Sequence, residues 1–80
     1  MYNTMPPRAK SRRTKEGIAF GKRVRELRDA HNWTQEQLAE AAGMNWLQVG
    51  HIERGASDPK LSTIAKLAKA LGIHPADLLR

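Results

Sequence analysis

The sequence predicts an all-α fold, a compact domain of five short helices. Apolar residues recur at spacings of three and four, which is the pattern of a helix with one buried face. Glycines and capping residues separate these segments, and no segment alternates like a half-buried strand. Eighty residues are enough for one domain with a modest core.

The first two helices are indicated by an apolar stripe and by a capping box. Three apolar residues recur at spacings of four and three between residues 18 and 31: Phe20, Val24 and Leu27. Thr34 and Gln37 then stand three residues apart, as they do where a capping box begins a helix. Gly43 is expected to end this second helix in the left-handed conformation.

Similar signals predict the other three helices. Asn45 is a favourable N-cap for a third helix, and Gly55 is expected to close it. Five apolar residues with helical spacing define the fourth: Leu61, Ile64, Leu67, Ala68 and Leu71. Gly72 should end that helix, and Pro75 suits the first turn of a short fifth one.

Positive charge is concentrated before the first acidic residue, Glu16. The net charge is +6, and five basic residues precede Glu16: Arg8, Lys10, Arg12, Arg13 and Lys15. Such a segment is too polar to fold alone, so residues 1–15 are expected to form a flexible basic arm and residues 16–80 the folded domain. The arm either contacts nucleic-acid phosphates or a minor groove, or is a solubilising tail.

Several classes of function are disfavoured by the composition. The chain has no cysteine and only three scattered histidines, so neither a metal site nor another cofactor is expected. A nucleophile, a phosphate-binding glycine loop and a carboxylate dyad are also missing, which argues against an enzyme. Without a long apolar run or a secretory signal, we expect a cytoplasmic protein with no membrane contact.

The short link between the second and third helices carries the functional prediction. Only Gly43, Met44 and Asn45 separate them, and so tight a turn makes two helices cross steeply. Val49 and Ile52 would anchor the third helix, residues 45–54, with its other side exposed. A single exposed helix fits the major groove of double-stranded DNA.

Residues 21–79 resemble the Cro and phage-repressor type of helix-turn-helix domain, also called the xenobiotic-response-element family. The resemblance rests on four motifs in the right order, RVRELR, TQEQLAEAAG, IERG and LAKALG. It implies a lambda-repressor-like fold and a sequence-specific transcriptional regulator, from a bacterium, a phage or a plasmid, that binds DNA as a homodimer. The run NW followed by GHIERG is similar to restriction–modification controllers in particular.

The resemblance, together with local charge, assigns roles to individual residues. The positions expected to read bases are Asn45, Trp46, Leu47, Gly50 and His51. Those expected to contact phosphate are Lys22, Arg23, Thr34, Gln35, Gln48, Arg54 and Lys60. Arg28 and Glu53 match an internal salt bridge between the first and third helices. Residues 34–53 hold three glutamates and no lysine or arginine, so polar readout rests on Asn45, Gln48 and His51; an asparagine can pair with adenine.

A protein-interaction module is the alternative function. The same kind of domain occurs in antitoxins that neutralise a toxin and in bridging coactivators, and Trp46 and Leu47 would offer an exposed apolar pair. Trp46 has a second interpretation, packing over the second helix. Trp33 is expected in the core. Three apolar residues near the end of the chain are candidates for a dimer surface or for closing the core: Ile73, Leu78 and Leu79.

Overall fold

Five helices follow one another in a computed structural model that describes residues 13–56 and 58–80. They are α1 (Lys15–Ala30), α2 (Gln35–Ala42), α3 (Trp46–Glu53), α4 (Leu61–Leu71) and α5 (Pro75–Leu78). Every regular element in these ranges is helical, which confirms the all-α class. Three of the basic residues assigned to the arm, Arg8, Lys10 and Arg12, lie outside the described residues.

The predicted helix ends are confirmed by their caps. Thr34 and Gln37 form a complete capping box at the start of α2. The Asn45 side chain caps α3, and His74 caps α5 by accepting a hydrogen bond from the backbone N–H of Ala76. Gly43 ends α2 in the left-handed region, where a residue with a Cβ would be strained.

The start of α1 corrects the expected boundary of the arm. Thr14 is the N-cap of α1, and its side chain accepts a hydrogen bond from the backbone N–H of Gly17. Lys15 is therefore the first residue of α1 rather than part of the arm. Sequence inspection missed this cap because the apolar stripe begins further along. The Thr14 hydroxyl also donates to Oδ1 of Asp58 at 2.5 Å, which ties the start of α1 to the loop before α4.

Each helix contributes one fully buried side chain to the centre of the core. These are Val24, Leu38, Val49, Leu67 and Leu78, in chain order. Leu78 therefore closes the core and is unavailable for a dimer surface, which settles one of its two interpretations. Leu79 is 57% exposed and remains a candidate for that surface, and Ile73 is partly buried against the core.

Helix α1 packs against α3 and α5, while α2 packs against α3 and α4. The α1–α3 contact depends on Gly21, because a Cβ there would lie 2.1 Å from the carbonyl oxygen of Ile52. Only glycine allows the two backbones to approach so closely. Among the described residues, no helix has the length and apolar character needed to cross a membrane.

Candidate nucleic-acid interface

Helix α3 is anchored on one side and open on the other. Val49 is fully buried and Ile52 is 6% exposed, so this side of α3 is fixed in the core. On the outer side, Trp46 is 50% exposed and Leu47 is 56% exposed. Gln48 and His51 are exposed as well. Within residues 13–56 and 58–80, the outer side of α3 is therefore accessible along most of its length.

Asn45 performs a structural task at the start of α3. Its Oδ1 accepts a hydrogen bond from the backbone N–H of Leu47 at 2.7 Å. An adenine contact through both amide atoms would compete with this cap. The side-chain NH₂ group stays available as a donor, which favours an acceptor on a base or a phosphate as the partner of Asn45.

A buried ion pair fixes α3 to α1, as the resemblance implied. Arg28 Nε donates to Glu53 Oε2 at 2.6 Å and Arg28 Nη2 donates to Oε1 at 3.0 Å. The two side chains are only 12% and 4% exposed. The hydrogen bond to Glu53 raises the pKa of Arg28 above its already high value, so the guanidinium remains charged. Its Nη1 also donates to the carbonyl oxygen of Trp33 at 2.7 Å.

Gln35 joins α2 to the same ion pair. Its Nε2 donates to Glu53 Oε1 at 3.0 Å, so Glu53 links side chains from α1 and α2 to α3. An amide NH₂ carries two donors, and no hydrogen bond among the described residues uses the second one. The hydroxyl of Thr34, which accepts the capping bond from Gln37, likewise keeps its own proton for donation.

A pocket of about 150 Å³ brings together three of the predicted DNA contacts from different parts of the chain. Gln48 and His51 line it from α3, and Lys60 lines it from the start of α4. Asp58, which holds Thr14 at the start of α1, lines the same pocket. Asp58 therefore holds Thr14, the N-cap of α1, at the edge of this pocket, and the neighbouring residue Arg13 is exposed.

Two of the predicted contacts are not brought to this site. Arg23 Nε donates to the carbonyl oxygen of Asp77 at 3.3 Å, which directs this side chain toward α5. Arg23 is not among the residues that line the pocket on α3, and the phosphate contact expected of it stays a prediction. Lys22 is exposed on α1, and no hydrogen bond or ion pair within the described residues links it to α3.

Gly50 is buried, which corrects its assignment as an exposed base-reading position. A Cβ at Gly50 would lie 3.2 Å from Nη1 of Arg54 and 3.6 Å from Oε1 of Gln35. These two side chains cover the position that the spacing along α3 placed on its outer side. No sequence pattern predicted this contact, although the spacing of four residues between Gly50 and Arg54 permits it.

Trp33 lies between α1 and α2, partly buried against the core as expected. Its ring stacks on that of His31 with the centroids 4.4 Å apart. Nε2 of His31 lies 3.1 Å from the carbonyl oxygen of Leu71. His31 and His74 thus both serve helix ends, in line with their interpretation from the sequence.

The two short helices α2 and α3 and the turn between them lie within the part of the chain that a family model matches. The HTH_3 family, described as helix-turn-helix, matches residues 24–78. The chain belongs to this helix-turn-helix family. The family resemblance stated from the sequence is thereby confirmed.

Relatives and solved structures of this helix-turn-helix family include restriction–modification controllers. The control protein C.BamHI of Bacillus amyloliquefaciens is 40% identical over 63 residues, covering 78% of each chain. The control protein C.SmaI of Serratia marcescens is 43% identical over 56 residues, 70% of this chain and 67% of that one. The crystal structure of the restriction-modification controller C.AhdI of Aeromonas hydrophila superposes with a TM-score of 0.78 at 43% identity, over 81% of this chain and 98% of that one.

The protein is accordingly a DNA-binding regulator with a helix-turn-helix domain. The immunity repressor of Bacillus phage phi105, 42% identical over 57 residues, is a further relative of this kind. The match covers 71% of this chain and 40% of the repressor.

Proposed function

We propose that the protein is a transcriptional regulator of the restriction–modification controller kind that inserts α3 into the major groove of double-stranded DNA. The observation that carries this proposal is the exposed outer side of a helix whose inner side is fixed by the core and by Glu53. The width of α3 suits the major groove, which admits one α-helix. We place its action in the cytoplasm of a bacterial cell, where such DNA is accessible.

The residues proposed to meet the DNA fall into two groups. Bases are contacted by the exposed residues of α3, namely Asn45, Trp46, Leu47 and His51. Phosphates are contacted by residues around them, namely Thr34, Gln35, Gln48 and Lys60. Phosphate contacts fix the position of α3, and contacts in the groove then provide sequence preference.

We further propose that the protein binds DNA as a homodimer. An apolar groove of about 260 Å³ between α1 and α5 supports this, with Phe20 at its floor and the exposed Leu79 at its rim. A second copy seated on this groove would give the assembly two α3 helices. The operator would then contain two half-sites about 34 Å apart.

Selection from a random duplex pool tests both proposals together. Purified protein is mixed with the pool, and the bound duplexes are recovered and sequenced. Enrichment of one motif with two half-sites separated by about one helical turn, or 34 Å, supports a dimeric regulator. Equal recovery of all sequences would leave only non-specific binding, and a single half-site would contradict the dimer.

The basic arm is proposed to lie on the DNA, because Thr14, where the arm joins α1, is bonded to Asp58 at the edge of the α3 pocket. Deleting residues 1–12 removes Arg8, Lys10 and Arg12 while keeping the Thr14 cap. The slope of log K against log salt should become shallower by up to about 0.9 for each lost phosphate contact. Fluorescence anisotropy at several salt concentrations measures the slope, and an unchanged slope would show that the arm is only a solubilising tail.

A protein partner for the same surface is the second candidate function. The half-exposed Trp46 and Leu47 favour it, because adjacent apolar side chains often mark protein contacts. An antitoxin or coactivator of this kind would lose its partner on Trp46→Ala substitution and keep its affinity for DNA. The regulator proposed here would instead lose DNA affinity with that substitution.

A further inference from the structure

Gly50 occupies an unusual place in α3. It lies one turn after Trp46 and one turn before Arg54, so these three residues form one stripe along the helix. Trp46 and Arg54 are exposed, whereas Gly50 between them is buried. A glycine inside a helix lowers its stability relative to alanine, so this position carries a cost that calls for a physical reason.

The side chain of Arg54 covers Gly50. Arg54 is the C-cap of α3, and long side chains of a helix lean back toward its N-terminus. A Cβ at position 50 would stand 3.2 Å from Nη1 and 3.9 Å from Cζ of Arg54, closer than an undisturbed guanidinium tolerates. The missing side chain of Gly50 therefore gives this guanidinium room to lie against α3, and next to a Cβ it would have to shift by a few tenths of an ångström.

This position of Arg54 changes the charge of the outer side of α3. Residues 34–53 contain three glutamates and no lysine or arginine. Turned back over Gly50, Arg54 brings a positive charge from the end of the helix toward its middle. Among residues 13–56 and 58–80, no carboxylate lies within 4.0 Å of its guanidinium, so its donors are not committed to an ion pair.

We propose that Gly50 seats Arg54 and that the seated Arg54 reads a guanine in the major groove, rather than holding a phosphate. This inference rests on the proposed function, since it requires α3 in the groove. The flat fork of an arginine matches O6 and N7 of guanine with two hydrogen bonds.

Selections from the random duplex pool with Arg54 variants test the base contact. Arg54→Ala should lose preference at one G·C position in each half-site by roughly 5- to 150-fold, and Arg54→Lys should lose part of it because an ammonium lacks the planar fork. The other positions of the motif should stay as in the wild type. Lys66→Ala, which removes an exposed positive charge from α4, is the matched control and should keep the whole motif. If Arg54→Ala weakens binding to all sequences equally while Arg54→Lys restores it, Arg54 holds a phosphate and the inference is wrong.

The Gly50→Ala variant, alone and combined with Arg54→Ala, tests whether Gly50 positions the Arg54 side chain. Gly50→Ala should lose preference at the same G·C position, and it should add no further change in the Arg54→Ala background. Its urea unfolding midpoint should equal or exceed that of the wild type, because alanine favours the helix. If Gly50→Ala loses equally much preference in the wild-type and in the Arg54→Ala background, Gly50 acts through close approach of the backbone to DNA. The proposal that Gly50 positions Arg54 is then wrong.

The two levels of the proposal fail in different ways. If the wild type enriches no sequence, the proposed function is wrong and this inference falls with it. If the wild type enriches a motif that Arg54→Ala and Gly50→Ala both retain in full, only this inference is wrong.

Discussion

The variant Arg28→Met is expected to lose about 3–5 kcal/mol of unfolding free energy. It would leave the carboxylate of Glu53, whose side chain is 4% exposed, with only the amide of Gln35 as a side-chain partner. The carbonyl oxygen of Trp33 would lose its donor as well. A domain of this size has a total stability of roughly 5–15 kcal/mol, so this loss should bring it close to unfolding. Urea denaturation followed by circular dichroism measures the effect.

Arg23→Met provides the matched control for the loss of an arginine from α1. Arg23 is one-third exposed, makes one hydrogen bond to Asp77 and lies 4.0 Å from Glu26, so its loss should cost at most about 1 kcal/mol. Replacing both partners, as in Arg28→Met with Glu53→Leu, should recover part of the lost stability, because no charge is then left buried. Equal losses for Arg28→Met and Arg23→Met would contradict the structural role given to the Arg28–Glu53 pair.

Leu47→Glu is expected to weaken binding to the selected duplex by about 100-fold or more, since it places a carboxylate among the DNA phosphates. A 100-fold loss corresponds to roughly 2.8 kcal/mol of binding free energy. The side chain is 56% exposed, so the fold should change in stability by no more than about 0.5 kcal/mol. Anisotropy titration and urea denaturation of the same preparation separate the two effects.

Ala65→Glu adds the same charge at an exposed position of α4 and serves as the control. It changes the net charge of the protein equally but lies outside the proposed interface. Its effect on affinity should be limited to general electrostatic weakening, which added salt screens. If Leu47→Glu and Ala65→Glu weaken binding to the same extent, the outer side of α3 does not form the interface with DNA.

Much of the fold follows from short-range signals in the sequence. The capping box at Thr34, the N-cap at Asn45 and the left-handed glycines Gly43 and Gly72 act within one turn of the chain. Such signals depend on a few neighbouring residues, so they specify where helices begin and end regardless of the rest of the fold. The Arg28–Glu53 pair spans 25 residues, and it was anticipated only through resemblance to a family.

The features that the sequence did not predict depend on which side chains meet in space. Gly50 was placed on the outer side of α3 by its spacing, yet Arg54 and Gln35 cover it. Arg23 was assigned to phosphate because of its charge, yet the backbone of α5 lies beside it and accepts its hydrogen bond. Leu78 is fully buried, while its neighbour Leu79 is exposed. Periodicity gives the direction of a side chain from its own helix but not the element that packs there.

Titration of the ¹⁵N-labelled protein with the duplex selected by the wild type tests most directly whether α3 enters the DNA. The largest changes in amide chemical shift are expected at residues 45–51 and at residues 34 and 35. Little change is expected along the exposed side of α4, at Ala65 and Lys66. Unchanged amides in α3, with the largest shifts on α4 or α5 instead, would show that α3 does not enter the DNA.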